Sequence, residues 1–226
     1  MQEKLMSRRP PLTRALVLQT AVALADESGA ASLTMRALAR ELGVEAMSLY
    51  HHVANKDALL DGMVDLVFAE IDLPVAGTDW RAEIRRRCMS AREVLLRHPW
   101  AVGFVESRSA PAPATLRHHE AVLACLRQGG FSVVLAAHAF ALLDAQLFGQ
   151  VVQEINLPFS DGDGAADVAG EFLGDVAPHD LPYLTEIAVE HVMKPGYAFG
   201  DEYAYGLDLI LDALEQRRLA EAVTDS

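Results

Sequence analysis

From Thr13 onward, Val17, Ala21, Leu24 and Ala25 recur at i, i+4, i+7 and i+8, the spacing of one buried stripe on a helix that Ser28 and Gly29 end. Thr34 is placed to cap a second, short helix. In it Met35, Leu38, Ala39 and Leu42 repeat at i, i+3, i+4 and i+7, and Gly43 offers the left-handed position that closes it. The stretch from Val44 to Val53 leaves no room for a long connection, so two short helices meet at a tight turn. Asn55 caps a longer helix with Leu60, Met63, Val64, Val67 and Ile71 as its buried stripe, ending before Pro74.

Pro74 to Thr78 reads as a linker, and every periodic segment beyond it is helical. These segments are Trp80 to Arg97, Pro113 to Gln128, Phe131 to Leu157, a poorly defined piece near Leu181 to Val192, and Gly200 to Leu219. Pro158 to Gly164 reads as a Gly/Asp-rich loop. No strand alternation appears, so the expected class is all-α. The expected organisation is a flexible arm over 1–11, a three-helix DNA-binding domain over 12–72 and a helical ligand-binding and dimerisation domain over 79–220.

The chain has 226 residues, 51% hydrophobic and 23% charged, the profile of a folded globular protein. Its net charge of −13 argues against a partner made of phosphates until the distribution is considered. Residues 1–60 hold seven basic and six acidic side chains, whereas residues 61–226 hold twelve and twenty-six. The acid therefore belongs to the second domain. Cys88 and Cys125 are too far apart for a metal-binding pair and too few for a disulfide framework, and Met1 to Pro11 lacks the apolar core of a signal peptide. A cytoplasmic protein is expected. Phe131 to Val152 is apolar enough to raise a membrane span of about 20 residues, but His138, Asp144, Gln146 and Gln150 argue against it. Such a helix is instead covered on several sides, as in a core that continues into a second subunit, so no membrane partner is expected.

Two short helices at a tight turn, the first supplying Ala39 at the crossing and Gly43 at the turn, meet the demands of a helix-turn-helix whose second helix enters the major groove. Thr34, Tyr50, His52 and Lys56 are donors on the edge that would meet phosphates, where contacts fix orientation. Arg36, Glu45, Ala46, Met47 and Ser48 would face base edges. There Arg can bond guanine twice, Ser can bond several bases, and Ala or Met can touch a thymine methyl.

The segment Leu33 to Leu60, LTMRALARELGVEAMSLYHHVANKDALL, closely resembles the DNA-binding signature of the tetracycline-repressor family. The spacing of Ala39, Leu42, Gly43, Val44, Leu49, Tyr50, His52, Val53, Lys56, Leu59 and Leu60 carries the likeness. The resemblance implies the same division into base-facing and phosphate-facing residues, with double-stranded operator DNA as partner. Ala46-Met47 stand where the tetracycline repressor has a polar residue and a proline, so a different operator is expected.

Past the linker, Trp80, Met89-Ser90, Leu95-Leu96, His98, the run from Gln128 to Ser132 and Phe148-Gly149 resemble the same family more sparsely. This implies a regulatory domain whose long helix, Phe131 to Leu157, and last helix, Gly200 to Leu219, form a four-helix interface in a homodimer. Independently, the stripe Tyr203, Leu207, Ile210, Leu211 and Leu214 needs something to cover it.

At the positions that hold tetracycline and magnesium in the family, this chain has Arg87, Ala91, Val105 and Ala145. No metal or other cofactor is therefore expected. The expected cavity has Trp100, Phe104, Val105, Val122, Ala141 and Ala145 as apolar lining and Arg87, His119 and Asp144 as polar anchors, a mixture suited to a small, largely apolar effector. The helix from Lys56 to Ile71 is the expected lever between the two domains.

The adjacent pairs His51-His52 and His118-His119 point to different sides of a helix and cannot chelate as an i, i+4 pair would, and Asp161, Asp163 and Gly164 lack calcium-loop spacing. The alternative of a helical carrier or enzyme finds no nucleophile, phosphate loop or metal motif to support it.

Overall fold

The computed structural model describes residues 11–105, 113–159, 162–174 and 181–224. All but the last position of the expected N-terminal arm lie outside the described residues. No strand occurs among them, and the chain forms two compact units.

The first unit contains α1 (Arg14–Ser28), α2 (Met35–Leu42), α3 (Ala46–Leu49), α4 (Lys56–Ala69) and α6 (Pro99–Val105). Two of its helices start at the expected caps, Thr34 and Asn55, and Thr13 caps a third. Thr13 accepts the Leu16 amide at 3.1 Å, Thr34 that of Ala37 at 3.1 Å, and Asn55 that of Ala58 at 2.7 Å. Each satisfies an amide that the first turn leaves without an intrahelical partner. Gly43 ends α2 at φ 65° and ψ 39°, the left-handed conformation that a side chain disfavours. Val17, Leu18, Ala21 and Ala25 of α1 share one core with Leu38, Ala39, Leu49, Val53, Leu59 and Met63.

The second unit contains α5 (Trp80–Arg97) up to Leu96, α7 (Pro113–Gln128) from Arg117, α8 (Val133–Asn156), α9 (Gly162–Gly174), α10 (Pro182–Ile187), a π-helical turn (Ala188–Val192) and α11 (Phe199–Thr224). Helices α8 and α11 pack against each other. Helix α5 is tied to them by charge. Arg81 meets Asp212 at 2.6 Å and Arg85 meets Asp208 at 2.8 Å, both acids on α11, while Arg92 pairs with Glu154 of α8. Trp80 stands edge-on to Phe131, with ring centres 4.7 Å apart. A side chain at Gly129 would place its Cβ 2.7 Å from the Trp80 Cβ, so only glycine permits this approach.

The structure adds three features to the sequence reading. Residues 97–105 and 113–116 group with the helices of the first unit, where Trp100 and Phe104 of α6 pack against its core. Helix α9 begins at Gly162, inside the stretch read as loop. Its Gly/Ala-rich sequence hides the apolar stripe that marks longer helices. Helix α6 was hidden by its length of seven residues, too short for periodicity to register.

Replacing Gly43 by alanine forces a Cβ into the left-handed region and should lower stability by about 1 to 2 kcal/mol, read as a reduced urea midpoint with unchanged slope.

Candidate DNA interface and effector site

Helix α3 buries Leu49 completely, and Met47, two residues earlier and about 200° around the helix, is therefore turned outward with 74% of its surface exposed. The same offset on α2, where Leu38 is fully buried, turns Arg36 to solvent. Glu45 is exposed, and Ala46 and Ser48 are half-buried beside them. On the expected phosphate-facing edge, Tyr50 and Lys56 are exposed and His52 is half-buried. Thr34 is exposed, but its hydroxyl oxygen already accepts the Ala37 amide, so its first role is to cap α2. Thr34 caps α2, and the other eight lie on α2, α3, the start of α4 and the turns joining them.

In the second unit, α5 sends Arg87 into the interior, where it is only 2% exposed. Its Nε donates to His118 Nε2 at 3.0 Å, and its Nη2 donates to Asp144 Oδ1 at 3.2 Å. The guanidinium is thus neutralised by Asp144 of α8 and bonded to His118 of α7. His118 must accept, so it is neutral. Burial, reinforced by the charge of Arg87, pushes it down to about 3.

His119 points elsewhere, edge-on to Phe140 at 5.0 Å, and burial lowers its proton affinity too. Tyr203 of α11 completes the cluster by donating to the Cys88 carbonyl at 3.2 Å. Burial raises the Cys88 thiol and pushes Cys125 up to about 11, which leaves both as thiols rather than reactive thiolates.

The expected cavity residues are divided between the two units. Arg87, Ala91 and Val122 are buried in the second unit, and His119 and Asp144 are half-buried there. Ala141 and Ala145 are exposed on the outward face of α8. Trp100 and Phe104 are partly buried and pack against the core of the first unit, and the side chain of Val105 lies outside the described residues. Phe104 and Trp100 were read as lining because their apolar spacing does not distinguish a pocket wall from packing.

Sequence reasoning also missed Asp26, Glu70 and His98, which meet in the first unit, and the partnership of His118 with Arg87. It missed an open depression of about 370 Å³ lined by residues that include His191, Tyr197, Glu202 and Tyr205. None of these residues forms a motif along the chain.

Residues 17–63 match the family model described as bacterial regulatory proteins of the tetR family, and residues 73–218 match that of the tetracyclin repressor-like C-terminal domain. An HTH-type transcriptional regulator of Saccharopolyspora erythraea is 37% identical over 172 residues, covering 76% of this chain and 73% of its own. The tetracycline repressor protein class A from transposon 1721 of Escherichia coli is 32% identical over 206 residues, 90% of each chain. Among solved structures, the TetR family protein ActR of Streptomyces coelicolor in complex with actinorhodin aligns with a TM-score of 0.75. It does so at 28% identity, over 92% of this chain and 99% of ActR.

Because His118 is held neutral when folded and takes up a proton when unfolded, it contributes a stability that is present above about pH 6.5 and shrinks as pH falls toward about 3. His118→Gln, which keeps an acceptor without the titration, should lose less stability than the wild type between pH 7 and pH 5 in paired urea denaturations.

Proposed function

This chain belongs to the tetracycline-repressor family of transcriptional regulators, and we propose that it is a repressor that grips palindromic operator DNA as a homodimer and is released by a small, largely apolar effector. The observation that carries this reading is the helix-turn-helix edge. A one-turn helix buries Leu49 while presenting Met47 outward, with Arg36 exposed on the preceding helix and Tyr50 and Lys56 exposed after it. In the proposed complex Arg36 and residues 45–48 read bases, and Thr34, Tyr50, His52 and Lys56 hold phosphates. The near-neutral charge of residues 1–60 allows such an approach, since the acidic excess belongs to residues 61–226.

Dimerisation is supported by the outward faces of the two packed helices. On α11 Tyr205, Leu209, Leu219 and Val223 are exposed, and on α8 Val134, Leu142 and Val152 flank the small residues Ala141, Ala145 and Gly149. Although α8 is long and apolar enough to cross a membrane, a second copy of the same two helices covers this face in a soluble, cytoplasmic protein. Two recognition helices related by a two-fold axis then require half-sites about one helical turn apart or slightly more. Light scattering should show a dimer at micromolar concentration.

The effector is proposed to bind the second unit, with His119 and the half-buried carboxylate of Asp144 as its polar contacts and Arg87 holding Asp144 in place. That ActR has been solved in complex with actinorhodin supports an effector-bound state here too. Arg87, Ala91, Val105 and Ala145 stand where tetracycline and magnesium are held in the family, so the effector is expected to bind without magnesium. The proposed lever is the helix from Lys56 toward Ile71. An effector can move it only by binding one arrangement more tightly than the other, a coupling of about 1 to 3 kcal/mol that operator DNA must return in equal measure.

Mobility shifts with the DNA upstream of its own gene test the reading, since a carrier or an enzyme gives no specific shift. Arg36→Ala should relax discrimination at particular base pairs by about 1 to 3 kcal/mol, whereas Lys56→Ala should weaken specific and random DNA alike. Equal losses on both DNAs for Arg36→Ala would remove it from base reading.

A further inference from the structure

Four charged or titratable groups and an indole meet in the first unit where α1, the end of α4 and the start of α6 come together. Asp26 Oδ1 on α1 lies 2.8 Å from His98 Nδ1 and also accepts the indole N–H of Trp100 at 2.6 Å. The other ring nitrogen of His98, Nε2, lies 3.4 Å from Glu70, the C-terminal cap of α4. Glu70 also accepts from Arg97 at 2.7 Å. The imidazole itself is buried, and its backbone carbonyl accepts the Ala101 amide at 2.9 Å, which fixes it to the first turn of α6.

A carboxylate accepts hydrogen bonds and donates none, so each of the two needs a hydrogen on the ring nitrogen that faces it. A neutral imidazole carries one such hydrogen and an imidazolium carries two. Charge points the same way. With the ring protonated, Asp26 and Glu70 are balanced by His98 and Arg97, whereas a neutral ring leaves one negative charge in excess. The groups facing the ring are Asp26 from α1 and Glu70 from α4, with Arg97 reaching it through Glu70. Although burial raises the Glu70 carboxyl, the hydrogen bond from Arg97 and the charge of His98 hold it below the ordinary range, so it stays an acceptor.

We infer that His98 is a proton-operated latch, whose doubly protonated ring fastens the start of α6 to both α1 and the C-terminal end of α4, and whose deprotonation releases one of the two. Such a latch holds while the proton is bound. It therefore tightens as pH falls and opens as pH rises. Because α4 carries Lys56 at its other end, the latch also sets how firmly the DNA edge is held. That consequence rests on the repressor reading above, while the latch does not.

The indole N–H of Trp100 reports the cluster directly, and the chain has only two tryptophans, so Trp80→Phe identifies its NMR signal. In the full-length protein this signal should move in a single step as pH is raised and stay still in His98→Asn. A step of the same size and midpoint in the variant overturns the latch. Asp26→Asn keeps an acceptor for the indole but removes a charge, and should carry the step to lower pH by about half a unit or more; an unmoved midpoint also overturns it.

Operator titrations at pH 6 and pH 8 complete the test, with the affinity ratio expected to be about threefold larger in wild type than in His98→Asn. If the indole step behaves as expected and no operator shifts at either pH, the repressor reading fails and the latch stands.

Discussion

A helix of four residues cannot sustain itself in water, because ordering its first turn costs more than its few hydrogen bonds return. Helix α3 exists because Leu49 is fully buried among Leu38, Ala39, Val53 and the faces of α1 and α4. Everything at the candidate DNA edge follows from that one burial. The periodicity of the backbone turns Met47 away from Leu49, and the left-handed Gly43 aims α3 across α2. Met47 can be exposed where a lone apolar side chain is ordinarily a liability because its neighbour supplies the anchor. A base-reading surface needs this division of labour: rigid residues on the inner side and freely varied ones on the outer.

The second unit is organised around charge. Its acidic excess is offset locally by α5, whose Arg81, Arg85 and Arg92 pair outward with acids of α11 and α8, while Arg87 turns inward. The Arg81 and Arg85 pairs are solvated and contribute little individually, whereas the Arg92–Glu154 pair is largely shielded from water. The inward one differs, because a guanidinium removed from water is tolerable only when its charge is neutralised and its hydrogens are bonded. Asp144 does the first and neutral His118 shares in the second. In the proposed effector site, a half-buried carboxylate held in position by a fully buried cation would need little reorganisation when a hydrogen-bond donor arrives.

Helix α6 shows how the two kinds of constraint combine. Trp100 and Phe104 attach it to the first core by packing, and Asp26 adds direction by accepting from both the indole and His98. Apolar contact alone leaves a short helix free to slide, because it has no preferred register. Hydrogen bonds of fixed geometry remove that freedom. A segment held in this way moves with the DNA-binding unit.

By itself the sequence determined the helical class, the starts of α2 and α4 at Thr34 and Asn55, the close of α2 at Gly43, and the helix-turn-helix, while α4 ends at Ala69 rather than running on through Ile71. Those depend on caps, turns and periodicity acting over a few neighbouring positions, as when Thr34 meets the Ala37 amide three residues away. Tertiary structure alone decided that Trp100 and Phe104 pack against the core of the first unit, that Ala141 and Ala145 face outward, and that Arg87 is paired with Asp144. It also decided that Asp26, Glu70 and His98 share one cluster. Arg87 lies 31 residues from His118 and 57 from Asp144. No local pattern encodes such a meeting, because a buried polar residue and an exposed one can occupy the same helical spacing. Only the packing of the other helices tells them apart.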